Sequence, residues 1–174
     1  MKKTLAPILS TLLAAGLLAN SAHAANPNDA QIAAIVVAAN TVDIDAGKLA
    51  ESKTKNKEVR AFANMMVHDH SAVNKQAVAL VTKLHVTPEE NDTSKSLTQG
   101  GATTRDRLKG LSGAAFDKAY VDNEVSYHQT VLDALDKTLI PGASNAELKA
   151  LLTKVRPAFV AHLEHAKHMQ AHMK

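Results

Sequence analysis

Between Val59 and Leu84, apolar residues recur by threes and fours, at Val59, Phe62, Met66, Val73, Ala77, Leu80 and Leu84. That spacing commits the stretch to an amphipathic helix, because a turn of about 3.6 residues aligns such positions on one face. One place in the stripe is polar. His70 fills the gap between Met66 and Val73 at helical spacing. A titratable ring is thereby assigned to the buried face, about midway along the helix. With no Cys, no Trp and 3% aromatic residues, the interior must be built from Ala, Val, Leu, Ile and Met. Such a composition favours closely packed helices over a β-sandwich.

The first residues read as an address. Lys2 and Lys3 precede a mostly apolar run from Leu5 to Leu18, and Ala22-His23-Ala24 is a small-x-small cleavage pattern. The run is short and is interrupted by Pro7 and Gly16, which argues against a membrane span. Residues 1–24 are therefore expected to be a signal peptide, and residues 25–174 the mature domain, exported to the periplasm. Loss of Lys2 and Lys3 leaves 18 Lys plus Arg against 17 Asp plus Glu, a net charge of +1. That balance carries no nucleic-acid signature. The absence of Cys excludes disulfides, thiolate metal sites and a lipidated N-terminal Cys.

The remaining chain divides into helices. Asn28, with Gln31 three residues on, opens a first helix reaching about Ser52, with a seam at Ile32, Ile35, Ala39, Val42, Ala46 and Leu49. Gly47 inside it marks a close helix–helix approach. Asn56 opens the second helix, which runs to about Val86. A polar crossover helix is expected within Glu89–Lys109, broken at Gly100-Gly101. Ser112 opens the next long helix, extending to Ile140, with Val121, Val125, His128, Leu132, Leu135 and Leu139 on its seam and Glu124 beside it. Ser144-Asn145-Ala146-Glu147 forms a capping box for the last helix. Its stripe is Leu148, Leu151, Val155, Phe159, His162, Ala166, Met169 and Met173, with a kink at Pro157. Four long helices with one crossover between the second and third describe an all-α, ferritin-like four-helix bundle.

Counted from helix ends at one end of such a bundle, Asp43, His70, Glu124 and His162 all lie about 15 to 17 residues in, hence near one level. Imidazoles and carboxylates at one level in an apolar interior are the ingredients of a transition-metal site for Zn, Cu, Fe or Ni. The expected ligands are His70, His128 and His162, with Glu124 or Asp43 completing or orienting the set and Asp69 as a further orienter. A competing reading is a structural polar network, satisfied by Asp43, Glu124 and Tyr120, that holds helix register. Such a network would charge in acid, which also admits a pH-sensing role. A second group, His165, His168 and His172, shares one face of the last helix. It reads either as a surface metal-capture strip, with Met169 and Met173 suited to Cu(I), or as a solvated helix end. No G-x-S-x-G, Walker A, G-x-G-x-x-G or H-E-x-x-H occurs, which lowers hydrolase and nucleotide chemistry.

Gly47-Lys48-Leu49-Ala50, Phe62-Ala63 leading to Met66-Val67-His68-Asp69-His70, Phe116-Asp117 with Tyr120, His128 and His162-Leu163 resemble an uncharacterised bacterial family. Its members are exported proteins of a domain-of-unknown-function class, often labelled outer membrane proteins. The resemblance implies export and a ferritin-like helical fold, and no assigned activity. Alternating β-barrel strands are absent from the sequence. Di-iron bundle proteins use Glu-x-x-His, whereas Val67 and Phe159 stand three residues before His70 and His162. A His-rich mononuclear site, or a bundle without metal, fits better than a di-iron cage. The functional expectation is metal storage, buffering or a stress role. The alternatives are a non-catalytic envelope protein acting through its surface, with no partner specified, and an oxidoreductase with an open coordination position.

Overall fold

The computed structural model describes residues 26–173. The signal peptide expected over residues 1–24 lies outside the described residues. The elements are α1 (Asp29–Lys53), α2 (Lys57–Lys83), α3 (Asp92–Lys109), α4 (Gly113–Ala134), a π-helical segment (Leu135–Leu139), the single turn α5 (Ile140–Gly142) and α6 (Ala146–His172). The all-α expectation is borne out, with no strand among the described residues. No described helix is long and apolar enough to cross a membrane.

The caps explain most boundaries. Asn28 and Gln31 form the reciprocal capping box at the start of α1. The Asn56 side chain accepts from the N–H groups of Glu58 and Val59. At α6 the cap is Asn145 rather than Ser144, accepting from Glu147 and Leu148. The shift has a tertiary cause: the N–H groups of Ser144 and Asn145 donate to the Asp29 carboxylate, which ties this loop to the start of α1. Ser112 precedes α4 but its side chain makes no cap bond. α2 stops at Lys83, short of Val86. His85 there takes a left-handed φ of 54°, and the Val86 N–H returns to the Val81 carbonyl at 2.9 Å. That bond closes the helix in the manner usually served by Gly. α4 widens into π-helix before the chain ends this run at Pro141-Gly142. The described helix α6 continues through Pro157.

α3 does not break at Gly100-Gly101. Gly101 faces α1, where an added Cβ would lie 2.6 and 2.7 Å from the two Val42 methyls. The glycine is there for proximity, so the helix lies flush on its neighbour. Gly47 serves α1 and α2 in the same way, since its Cβ would fall 2.9 Å from the Val67 Cγ2. Covered by α2 on one flank and α3 on another, α1 buries more than one stripe. Asn40, Asp43, Ile44 and Ala50 are buried, whereas Ala39, Val42 and Leu49 of the expected seam are half-buried.

Contacts between ends set the directions. The Asn91 side chain donates to the Gln31 carbonyl, and Lys53 donates to the Lys109 carbonyl. α3 therefore runs parallel to α1 over its length and carries the chain from one end of the molecule to the other. α1 packs on α2, α2 on α6, α6 on α4 and α4 on α1. Four long helices thus close a ring, with α3 laid outside against α1.

The interior divides into two apolar clusters. One gathers Ile32, Ile35, Val73, Leu132, Leu152 and Phe159; the other gathers Ala50, Phe62, Met66, Phe116, Tyr120 and Met169. On every long helix a polar residue stands where one cluster gives way to the other: Asp43, His70, Glu124 with His128, and His162.

Candidate metal centre

Each member of this layer is buried because its own helix's periodicity turns it inward. His70, His128 and His162 are 1–3% exposed, and Asp43 and Glu124 at most 1%. The rings converge, with centroids 5.5 Å apart for His70–His128, 5.3 Å for His70–His162 and 5.4 Å for His128–His162. One nitrogen from each lies within 4.8 Å of the others, and Asp43, Glu124 and His128 form a second such group. Asp43 Oδ2 is 2.9 Å from His70 Nε2 and 3.4 Å from His128 Nε2.

Hydrogen bonds decide which nitrogens face the middle. His70 Nδ1–H donates to Asn40 Oδ1 at 2.7 Å, and Asn40 is itself oriented by its Nδ2 donating to the Val36 carbonyl. His128 Nδ1–H donates to the Glu124 carbonyl at 3.0 Å, within its own helix. His162 Nε2–H donates to Asp69 Oδ2 at 2.9 Å, across from α6 to α2. Each ring is thereby held in one tautomer by an oxygen behind it. Of the opposite nitrogens, His128 Nε2 and His162 Nδ1 are buried without hydrogen-bond partners, and His70 Nε2 meets the Asp43 carboxylate at 2.9 Å. An imidazole anchored by an oxygen on one nitrogen and bare on the other is how a metal-ligating histidine is usually presented. Buried polar atoms without partners are otherwise costly, about 1–3 kcal/mol each. Facing groups of this kind form a donor set that could hold a cation.

The charges agree with this geometry. Burial, above all, pushes the Glu124 carboxyl well above its ordinary range, and the neighbouring Asp43 charge adds to it. Burial pushes Asp43 up as well, but the facing His70 and His128 rings and a hydrogen bond from Glu124 outweigh it, leaving Asp43 below its ordinary value. The two shifts run in opposite directions, so a proton shared by the pair favours Glu124 and the negative charge favours Asp43. Burial lowers the His128 pKa to about 4 and lowers that of His162, so both rings are neutral near pH 7. Three imidazoles and one carboxylate are a donor set that suits a divalent ion of the Zn, Cu or Fe kind.

The structure brings together all five residues singled out by sequence, His70, His128, His162, Glu124 and Asp43, and places Asp69 behind His162. Glu124 orients His128 through its backbone carbonyl rather than its side chain. Tyr120 satisfies none of the three rings; its hydroxyl is buried without a partner. Two contributors escape the sequence reading. Asn40 orients His70, and Phe159 stacks on the His70 ring at 4.9 Å. Asn40 lies three residues before Asp43, so a polar pair at helical spacing is the signal that could have exposed it. His165, His168 and His172 stand apart from the buried layer. His165 lies edge-on to Phe62, and His168 and His172 are exposed.

No curated protein and no solved structure matches this chain. Residues 15–169 match the model of a family described as Domain of unknown function (DUF4142), and the chain belongs to that family.

Proposed function

We propose that this protein binds one transition-metal ion through His70 Nε2, His128 Nε2, His162 Nδ1 and an Asp43 oxygen. The observation that carries the proposal is the convergence of three rings, each anchored by an oxygen on one nitrogen, with His128 Nε2 and His162 Nδ1 unpartnered and His70 Nε2 beside the Asp43 carboxylate. Glu124, neutral beside Asp43, shapes the site without adding charge. A set of four buried donors leaves no obvious position for a substrate, which favours storage, buffering or a stress role over turnover. The ring of four long helices with an external crossover supports a ferritin-like bundle as the scaffold. The charged start, short apolar run and Ala22-His23-Ala24 support export to the periplasm with cleavage after Ala24. A non-catalytic envelope protein with a structural His network is the alternative; it accounts for the His70–Asp43 contact and leaves the bare nitrogens of His128 and His162 unexplained.

The test is elemental analysis of untagged protein purified from its own source, followed by reconstitution with Zn(II), Cu(II) and Fe(II). About one equivalent of tightly held metal, lost in His128→Ala, is the expected result. Absence of any stoichiometric metal under all three reconstitutions would overturn the proposal.

A further inference from the structure

α3 lies flush on α1 but meets α4 only sparingly, and a cleft of about 380 Å³ opens between α3, α1 and α4. That volume falls in the range of small-ligand sites, about 300–1,000 Å³. Its less exposed lining is apolar, from Val42, Ala46, Leu97 and Tyr127, whereas Ser96 and Ser126 hold hydroxyls at the exposed rim. Tyr127 is fixed in this wall, its hydroxyl donating to the Ala39 carbonyl at 2.8 Å. No residue lining the cleft carries a charge, although charged residues make up 21% of the chain. The neighbouring cleft along the α1–α3 seam, of about 360 Å³, is unlike it, for Asp45, Glu90 and Arg105 line that one. Gly100 is a second, independent sign. A glycine inside a helix weakens it relative to alanine. No atom of the chain lies within 4 Å of a Cβ at Gly100, so close packing does not require the glycine. Gly100 does line the cleft, and its missing side chain leaves that space unobstructed.

We propose that this cleft binds one small, uncharged, largely apolar molecule, with its apolar body against Val42, Leu97 and Tyr127 and a hydroxyl or carbonyl group toward the hydroxyls of Ser96 and Ser126. Charge complementarity selects the class. A charged ligand would give up water with no opposite charge to meet it, and burying an unpaired ion is expensive. Hydroxyls both donate and accept, so the rim serves a neutral polar end of either kind. None of the residues assigned to the metal lines the cleft, and the proposal does not depend on the buried centre.

Titration of the untagged protein with N-phenyl-1-naphthylamine, an uncharged probe that fluoresces in apolar surroundings, tests the proposal. One saturable site is expected, and 1-decanol should displace the probe. Decanoate and decylammonium should compete at least about tenfold more weakly, for want of a counter-charge. Gly100→Leu and Ser126→Leu fill the cleft from opposite walls, at exposed positions that leave helix content unchanged by circular dichroism. Each should weaken probe binding about tenfold or more by steric exclusion. Val78→Ser removes an exposed large apolar side chain on α2, away from the cleft, and should leave binding unchanged. Absence of saturable binding, full binding in either filling variant, its loss in Val78→Ser, or equal competition by the charged ligands would overturn the proposal. So would self-association of the unaltered chain that Gly100→Leu abolishes, because the cleft would then belong to a second copy.

Discussion

At the residue scale, the centre depends on what stands behind each ring as much as on the rings. Asp69 is the most accessible of these supports, with its side chain 37% exposed and its carboxylate holding His162 Nε2–H. Asp69→Ala should leave the fold intact and weaken metal binding about 10- to 100-fold, read by competition with a chelator of known affinity. The two buried acids should respond differently to removal of their charge. Burial and the neighbouring Asp43 charge favour the protonated form of Glu124. Glu124→Gln therefore preserves charge and shape, and metal affinity should change by less than about tenfold, or 1.4 kcal/mol. Asp43→Asn removes the one negative charge at the site and should cost more, at least about 2 kcal/mol of binding free energy on the scale of a charge-assisted contact. Equal losses in the two variants would show that the proton does not reside on Glu124.

At the element scale, the seating of α3 on α1 is decided by a single missing side chain. Gly100 and Gly101 are neighbours with opposite surroundings: nothing lies within 4 Å of a Cβ at Gly100, whereas Val42 occupies the space at Gly101. Gly100→Ala should stabilise the protein by about 1 kcal/mol through helix propensity alone. Gly101→Ala gains the same propensity but forces α3 away from α1, at a net cost of about 1–3 kcal/mol. Urea unfolding of the two variants, compared by midpoint at constant slope, reads the difference. The contrast also explains the misjudged break in this helix. Two glycines in a polar stretch signal interruption locally, and only the Val42 methyls show that Gly101 serves a contact.

At the scale of the whole molecule, the polar layer couples folding to pH and to metal. Burial lowers the His128 pKa from 6.5 to about 4, and His162 shifts the same way. An unfolded His takes up a proton below 6.5, while folded His128 resists until about 4. Its contribution to stability is complete above 6.5 and is lost as pH falls through that window, by up to about 1.4 kcal/mol per unit. Glu124 acts in the opposite sense: its folded pKa is raised, so its contribution is lost as pH rises above its ordinary 4.5. Metal-free Glu124→Gln should therefore show the acid destabilisation between 6.5 and 4 more plainly than the unaltered chain. Thermal melts across that range, in chelator, provide the measurement. Metal should oppose the loss. At a free concentration about a hundredfold above Kd it adds about 3 kcal/mol, a rise in Tm of several degrees.

Helix identity, the inward faces of α2, α4 and α6 and the His interruption of their three apolar stripes were legible in the residues alone, because periodicity and caps are local properties of the chain. Three imidazoles on buried faces at a common level followed from the same arithmetic. The tertiary structure alone decided which nitrogen of each ring is bare, that Asn40 and Asp69 fix the rings of His70 and His162, that Asn145 displaces Ser144 as a cap, and that Gly101 seats α3. All of these depend on where one helix stands against another. That relation is set by side-chain packing between segments distant in sequence, and a single strand of letters does not encode it position by position.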